Sequence, residues 1–259
     1  MPNFVSPPGP PVVKAIDIIG TCDRILQPGA FADYGPNGLQ VPGRGEVVRI
    51  VTGVSATRAL IERAADIDAG LVIVHHGLFW KGQPLEITPL LAERLRILFK
   101  ADIGLAAYHL PLDAHPDHGN NAILAERLGC ESHEAFAEIG RAGTFAGQGI
   151  PIAELHARVK EVTGREPLRQ GRGPERVRRI ALVSGGAPDM IGDAIAGGFD
   201  AFLTGEAKER VMAEAEEAGI HFFAAGHYAT ETFGIRRLGE LVAAEHGVEH
   251  VFVDLPNPV

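Results

Sequence analysis

The sequence predicts an α/β fold of two similar α/β halves, an internal duplication in which mixed sheets are flanked by helices. Short apolar runs alternate with segments of helical periodicity, and the later part of the chain repeats the pattern of the earlier part. The chain has 259 residues, of which 46% are hydrophobic and 22% charged. This length is enough for one large domain or two modest ones.

The first half contains strands and helices in alternation. Strands are predicted at 47–54, 71–74 and 103–109, and helices at 56–70, 89–100 and 120–129. Gly70 is a plausible C-cap of the first helix, and Thr88 with Pro89 forms an N-cap and a first helical position. The run LVIV at 71–74 is apolar throughout, as expected for a strand covered on both faces.

The second half repeats several segments of the first. RIVTGVSA at 49–56 resembles RIALVSGGA at 179–187, and AGLVIVHHG at 69–77 corresponds to FDAFLTGE at 199–206. Any α/β protein shows some strand–helix–strand similarity of this kind. Because polar residues recur at matching strand ends, we favour a duplicated unit whose two copies direct these residues to one cleft. The predicted division is a first half at 1–138, a connection at 139–178 with one helix at 151–163, and a second half at 179–259.

Composition limits the classes of function. The formal charge of −9 argues against strong non-specific nucleic-acid binding, which needs a basic face. No apolar run reaches the roughly 18 to 20 residues of a membrane helix. The proline-rich start, MPNFVSPPGPPVVKA, is predicted to be an extended lead-in rather than a secretory signal. Two distant cysteines favour a cytoplasmic, reducing location.

Imidazoles and carboxylates follow several of the predicted strands. His75 and His76 end one strand, Asp113 follows another, and His227 with Glu231 follows a third. Ligands bind at the carboxyl ends of strands in α/β sheets, and this mixture of groups suits Fe, Mn, Zn, Ni and similar divalent ions. We therefore predict a metal site.

Adjacent histidines on a regular strand point to opposite faces. Either the chain bends at Gly77, or each histidine serves a different ion. The second alternative needs a carboxylate that bridges two ions about 3.5–4 Å apart, for which Asp113 and Glu231 are candidates. His109 could be a ligand, a partner of a ligand or a proton carrier.

Two further segments allow a phosphate-binding interpretation. SGGAPDM at 184–190 precedes a helix, and the run from Arg158 to Arg179 is rich in basic residues. Neither segment matches a known phosphate loop, so a turn and a solvated surface are the favoured interpretations.

Five motifs occur in the order DYGPNGLQV, LVIVHHGLFWKG, YHLPLDAHPDHGNN, FLTGE and GHYATE. Together they resemble the Nif-three-like family of dinuclear-metal-centre proteins over about residues 15–255. The resemblance implies two similar α/β halves around a two-metal site, in ring-shaped hexamers. The chain resembles the short form of the family, which has no domain inserted between the halves.

The same resemblance implies roles for individual residues. The motifs of the family place metal ligands at His75, His76, Asp113, His227 and Glu231, with the glutamate bridging both ions. They place His109 and Glu206 close to the site. Two divalent ions per chain are therefore expected, with Fe, Mn, Zn or Ni as candidates.

Members of the family are often named as homologues of a type 2 GTP cyclohydrolase I. The resemblance therefore implies a cytoplasmic dinuclear metal-dependent hydrolase that acts on a small molecule, for which a nucleotide is the candidate. A metal-bridging hydroxide would be the nucleophile and His109 the catalytic proton carrier. The alternatives are a two-metal phosphoesterase and a non-catalytic, ring-shaped scaffold or regulatory protein that binds metal.

Overall fold

A computed structural model describes residues 11–259, so most of the proline-rich lead-in lies outside the described residues. The strands are β1 Val13–Lys14, β2 Gly38–Val41, β3 Glu46–Val47, β4 Arg49–Ser55, β5 Leu71–His76, β6 Gly104–Ala107, β7 Ser132–Phe136, β8 Gly140–Thr144, β9 Ile150–Pro151, β10 Leu168–Gln170, β11 Arg176–Val177, β12 Arg179–Leu182, β13 Ala201–Thr204, β14 His221–Ala224 and β15 Glu249–Phe252. The helices are α1 Ala15–Leu26, α2 Arg58–Asp66, α3 Pro89–Ala101, α4 Leu110–Ala114, α5 Asn120–Arg127, α6 Ile152–Thr163, α7 Ile191–Ala196, α8 Glu209–Ala218, α9 His227–Thr230 and α10 Thr232–His246.

The described chain divides into two compact units. The first unit contains residues 11–27, 34–108 and 238–253, and the second contains 28–33, 109–237 and 254–259. The bounds predicted at 138 and 178 stay a prediction. In the structure, residues 139–178 contribute strands β8 to β11 and helix α6 to the second unit.

The first unit contains a five-stranded sheet in the order β15-β4-β5-β6-β2. Strands β15, β4, β5 and β6 are parallel, and β2 joins β6 in the antiparallel sense. Every residue from Leu71 to Val74 is fully buried, which confirms that the apolar run is covered on both faces. The parallel arrangement brings the carboxyl ends of β4, β5 and β6 to one edge of the sheet, where His75 and His76 lie.

The second unit contains a six-stranded sheet in the order β10-β14-β13-β12-β8-β7. Strands β12, β13 and β14 are parallel, whereas β10 and β8 pair with them in the antiparallel sense. One apolar core, which includes Phe145, Leu155 and Phe233, packs with helices α5 and α6, and another includes Phe202, Val211 and Phe222. The predicted α/β fold with mixed sheets flanked by helices is confirmed.

The first predicted helix ends earlier than expected. Thr57 is its N-cap and accepts a hydrogen bond from the backbone of Leu60, but helix α2 stops at Asp66. Asp68 then adopts a left-handed conformation with φ of 53°, which aspartate tolerates better than most residues. The chain therefore leaves the helix before Gly70, whose N–H instead donates to the carbonyl of Arg49. Gly70 was wrongly predicted as the C-cap.

The other predicted cap is present. Helix α3 begins at Pro89, and the hydroxyl of Thr88 accepts a hydrogen bond from the backbone N–H of Leu91. Over residues 11–259, no helix combines the length and the apolar character needed to span a bilayer.

Candidate metal centre

His75 and His76 are the last two residues of strand β5, which stays regular to its end. His76 is in register with Ser55 of β4, so the strand does not bend before Gly77. The two imidazole rings nevertheless lie close together, with centroids 4.6 Å apart and planes inclined by 46°. At the next residue, Gly77, a side chain would collide with the amide of Gln40.

Hydrogen bonds fix the orientation of both rings within the first unit. The Nδ1 atom of His75 lies 3.0 Å from the carbonyl oxygen of Tyr108. A carbonyl oxygen only accepts, so Nδ1 carries the hydrogen and the lone pair of the neutral ring is on Nε2. The Nδ1 atom of His76 lies 3.0 Å from the hydroxyl of Ser55. In both residues the same ring atom is held by an oxygen.

His109 belongs to the second unit and directly precedes helix α4. Its Nδ1 atom lies 2.7 Å from Oδ1 of Asp33, and Oδ2 of the same carboxylate accepts the backbone N–H of Leu110. Asp33 is buried. The sequence did not identify Asp33 as a partner of His109, because the two residues are 76 positions apart and no spacing rule connects them.

Asp113 lies in helix α4 and is 3% exposed. Its Oδ1 atom accepts two hydrogen bonds, one from Nδ2 of Asn120 and one from the hydroxyl of Ser184, each 2.8 Å long. Asn120 is itself fixed, because its Oδ1 accepts the backbone N–H of Gly234. Two donors on one oxygen hold the carboxylate in a single orientation.

His227 begins helix α9, and Glu231 directly follows that helix. The Nδ1 atom of His227 lies 2.5 Å from Oε1 of Glu206, and its Nε2 atom lies 3.2 Å from Oε1 of Glu231. Burial on its own lowers the pKa of His227. The hydrogen bonds and negative charges of Glu231 and Glu206 outweigh it and raise the pKa to about 9. Without a bound metal, His227 is therefore an imidazolium between two carboxylates at neutral pH.

The segment SGG at 184–186, which follows strand β12, contacts three of these carboxylates. Ser184 donates to Asp113, a side chain at Gly185 would collide with Oε1 of Glu231, and one at Gly186 would lie 3.4 Å from the carboxyl carbon of Glu206. Gly185 also has a φ of 67°, which favours glycine. The sequence allowed an anion-binding loop here but favoured a simple turn. In the structure the loop borders Glu231 and Glu206, and Ser184 orients Asp113.

Each unit contributes His, Asp or Glu side chains of the kinds that hold metal ions. In the first unit these are His75 and His76, and in the second they are His109, Asp113, His227 and Glu231. In the first unit His75 and His76 are adjacent, and in the second unit His227 and Glu231 are in contact. Asn120 and Ser184, which fix Asp113, were not identified from the sequence as part of the site.

The donor set fits a divalent transition metal. Imidazole nitrogens and carboxylate oxygens suit Fe, Mn, Zn and Ni. Histidines that bind metals commonly donate their other ring N–H to a carbonyl or carboxylate, which fixes the tautomer and the ring plane. All four histidines of this set have Nδ1 engaged by an oxygen atom: one hydroxyl, one carbonyl and two carboxylate oxygens.

Comparison with known proteins places residues 13–258 in one family. The sequence model of Duf34/NIF3 (NGG1p interacting factor 3) matches residues 13–258. A Pseudomonas aeruginosa protein named GTP cyclohydrolase 1 type 2 homolog is 45% identical over 246 residues, covering 93% of this chain and 97% of that protein. A Yersinia pestis protein of the same name is 44% identical over 247 residues, covering 95% and 100%.

Solved structures agree with this placement. The structure of protein ybgI, described as of unknown function, has a TM-score of 0.92 and 42% identity, covering 95% of this chain and all of that one. The structure of TTHA1606 from Thermus thermophilus has a TM-score of 0.89 and 34% identity, with the same coverage. The family resemblance seen in the five motifs is confirmed: the chain belongs to the Duf34/NIF3 family.

Proposed function

We propose that this chain is a metal-dependent hydrolase of the GTP cyclohydrolase 1 type 2-like kind. Two divalent ions per chain are held by His75, His76, Asp113, His227 and Glu231. The observation that carries the proposal is the common orientation of the histidines, whose Nδ1 atoms are each engaged by an oxygen atom. We assign Nε2, the other ring nitrogen, as the ligand atom. The names of the relatives from Pseudomonas aeruginosa and Yersinia pestis support the class of reaction.

The residues of the chain have separate tasks in this proposal. Two divalent ions, when bound, lower the pKa of a water molecule and polarise a substrate. Asp113 and Glu231 are buried and offset part of the positive charge of the ions. His109 moves a proton at Nε2, because its Nδ1 is held by Asp33. Glu206 holds the ring of His227 at Nδ1.

Metal analysis tests the ligand assignment. Elemental analysis of the purified protein should find close to two divalent ions per chain. His76→Ala and Glu231→Gln should each lower that number, because each removes a ligand. His133→Ala is the matched control, since His133 is exposed on strand β7. Unchanged metal content in both ligand variants would refute the assignment.

Turnover of GTP tests the reaction. Metal-loaded protein is incubated with GTP, and the guanine absorbance and the product mixture are followed. The proposal expects the guanine absorbance of GTP to be lost. Glu231→Gln should abolish this turnover. His109→Gln, which removes the proton carrier, should slow the turnover at least tenfold. Failure to consume GTP at full metal occupancy would contradict the substrate. Consumption that is unaffected by Glu231→Gln would contradict the site.

A non-catalytic scaffold is the second candidate. The family name itself refers to an interacting factor, which supports a role in protein association. Four apolar side chains are exposed in the first unit: Leu85, Ile87, Leu90 and Phe99. We propose that a ring-shaped hexamer covers them. Native mass spectrometry should then show a hexamer that Leu90→Asp with Phe99→Asp dissociates. A hexamer that turns over none of the candidate substrates would favour the scaffold.

The two cysteines, both unpaired thiols, fit the cytoplasmic location that we propose.

A further inference from the structure

A cavity lies in the second unit, beside the segment that carries His227 and Glu231. Its volume is about 740 Å³, within the range of cavities that bind small organic ligands. Its walls come from the end of α5, the end of α6 with the turn that follows, the helices α9 and α10, and the chain from Asp254 onward. The lining includes Arg127, Glu161, Arg165, Tyr228, Phe233 and Arg236.

This cavity is separate from the candidate metal centre. Its lining includes Tyr228, Thr232 and Arg236, which recur every four residues and share one face of the segment formed by α9 and α10. His227 and Glu231 do not line it, and each precedes one of these residues by one position, about 100° around the helix. A ligand in the cavity would therefore contact the metal-ligand segment from another side.

Two arginines of the lining have no carboxylate partner among residues 11–259. The guanidinium of Arg127 lies over the ring of Phe233, 5.0 Å from its centroid. Arg165 lies against Gly226 and donates from Nη1 to the carbonyl oxygen of Pro258 at 2.8 Å. A guanidinium group has five N–H donors in a planar fork, so a single carbonyl partner leaves donors for a ligand.

The carboxylates of the lining are mostly engaged. Glu166 accepts from Lys160 and His156, and Asp254 accepts from the hydroxyl of Tyr228 and lies 3.3 Å from Arg236. Glu161 is the one remaining acid of the lining in the described chain. Two unpaired guanidinium groups against one unpaired carboxylate favour an anionic ligand.

The wall formed by the chain after Asp254 is already in place. The hydroxyl of Tyr228 donates to Oδ1 of Asp254 at 2.6 Å and accepts the backbone N–H of Leu255 at 2.9 Å. The backbone N–H of Tyr228 donates to the carbonyl oxygen of Val259. A preformed wall lowers the entropy cost of binding, because the chain need not be ordered by the ligand.

We propose that this cavity binds a small planar organic anion, a carboxylate or phosphate carried on an aromatic or heteroaromatic ring. Arg127 and Arg165 bind the charged group, and the side chains of Phe233 and Tyr228 provide the apolar contacts for the ring. This site is independent of the proposed hydrolase function. It would remain if that function were refuted.

Ligand titration by calorimetry or ligand-observed NMR tests the site on the full chain. The probes are adenosine monophosphate and 4-hydroxybenzoate, which separate a phosphate from a carboxylate source, and inorganic phosphate, which has no ring. Arg127→Gln and Arg165→Gln remove one guanidinium each. Arg169→Gln is the matched control, because Arg169 is exposed and outside the lining. Glu231→Gln separates this site from anion binding to metal ions.

The proposal expects one or both aromatic anions to bind with a Kd of millimolar or below. Loss of a charged donor should raise that Kd about tenfold in each lining variant, whereas Arg169→Gln and Glu231→Gln should leave it unchanged. Absence of binding by both aromatic anions would overturn the proposal, as would equal weakening by Arg169→Gln. Loss of binding in Glu231→Gln would assign the anion to the metal ions instead. Inorganic phosphate that binds as tightly as the aromatic probes would overturn the role of the ring.

Discussion

Asp33 and His109 form a pair in which both oxygens of the carboxylate accept a hydrogen bond. Oδ1 of Asp33 lies 2.7 Å from Nδ1 of His109, and Oδ2 accepts the backbone N–H of Leu110 at 2.9 Å. The carboxylate cannot rotate without breaking one of these bonds in a buried environment. The pair therefore fixes both the plane of the imidazole and the tautomer with its hydrogen on Nδ1.

Asp33→Asn should destabilise the fold and disturb the tautomer of His109. An asparagine has one acceptor oxygen, and the backbone N–H of Leu110 needs it because that group can only donate. The NH2 group then faces Nδ1 of His109, which accepts once the ring hydrogen is on Nε2. We expect the free energy of unfolding in urea to fall by about 1–3 kcal/mol. Nitrogen chemical shifts of the His109 ring should show hydrogen on Nε2. Asp17→Asn, on the exposed face of helix α1, is the control. An unchanged tautomer together with unchanged stability would show that Asp33 does not orient His109.

Ser184→Ala should weaken metal binding while leaving the fold intact. The hydroxyl of Ser184 is one of two donors to Oδ1 of Asp113, and Asn120 retains the other. Loss of a hydrogen bond that orients a ligand lowers metal affinity by about 10- to 100-fold. Competition with a chelating indicator measures this change, and Ser132→Ala on the exposed part of β7 is the control. Equal affinity in Ser184→Ala and wild type would exclude Ser184 from positioning Asp113.

Gly185→Ala and Gly164→Ala separate backbone strain from crowding of the site. Both glycines have φ near 70°, but a side chain at Gly164 meets open space, whereas one at Gly185 would collide with Glu231. Gly164→Ala should cost about 1 kcal/mol in the free energy of unfolding. Gly185→Ala should cost clearly more and should lower the metal content, because Glu231 is displaced. Equal losses of stability and retained metal in both variants would contradict the close packing of Gly185 on Glu231.

Much of the fold followed from local patterns in the sequence. The apolar run at 71–74 is buried on both faces, and the cap at Thr88 begins a helix. Both features could be predicted because each is marked by residues that are neighbours in the sequence. The end of helix α2 was misplaced, since Asp68 rather than Gly70 adopts the left-handed conformation there.

The partners of the candidate ligands could not be predicted from spacing. Asp33 and His109 are 76 residues apart, and Ser184 and Asp113 are 71 apart. Such pairs are created by tertiary packing, and neither residue carries a local signal of it. Ser184 lies in a glycine-containing loop whose sequence carries no sign of a contact with Asp113. In contrast, His227 and Glu231 are one helical turn apart, which is why their contact was predictable.

The stability of the metal-free protein should fall as the pH rises from 6.5 to 9, because of His227. Burial on its own lowers the pKa of this residue, but Glu231 and Glu206 raise it from 6.5 to about 9 in the folded state. The folded state therefore holds this proton more tightly than the unfolded state does. The resulting stabilisation is fully present below about pH 6.5 and is lost as the pH rises through 9.

Urea unfolding with a chelator present, at several pH values, measures this effect. Wild type should lose more stability between pH 6.5 and 9 than His227→Gln, which cannot titrate at that position. His133→Gln should keep the slope of the wild type, because His133 is exposed. Equal slopes in wild type and His227→Gln would contradict the raised pKa. Bound metal should remove the slope in the wild type, since a ligand imidazole carries no proton on the atom that binds the ion.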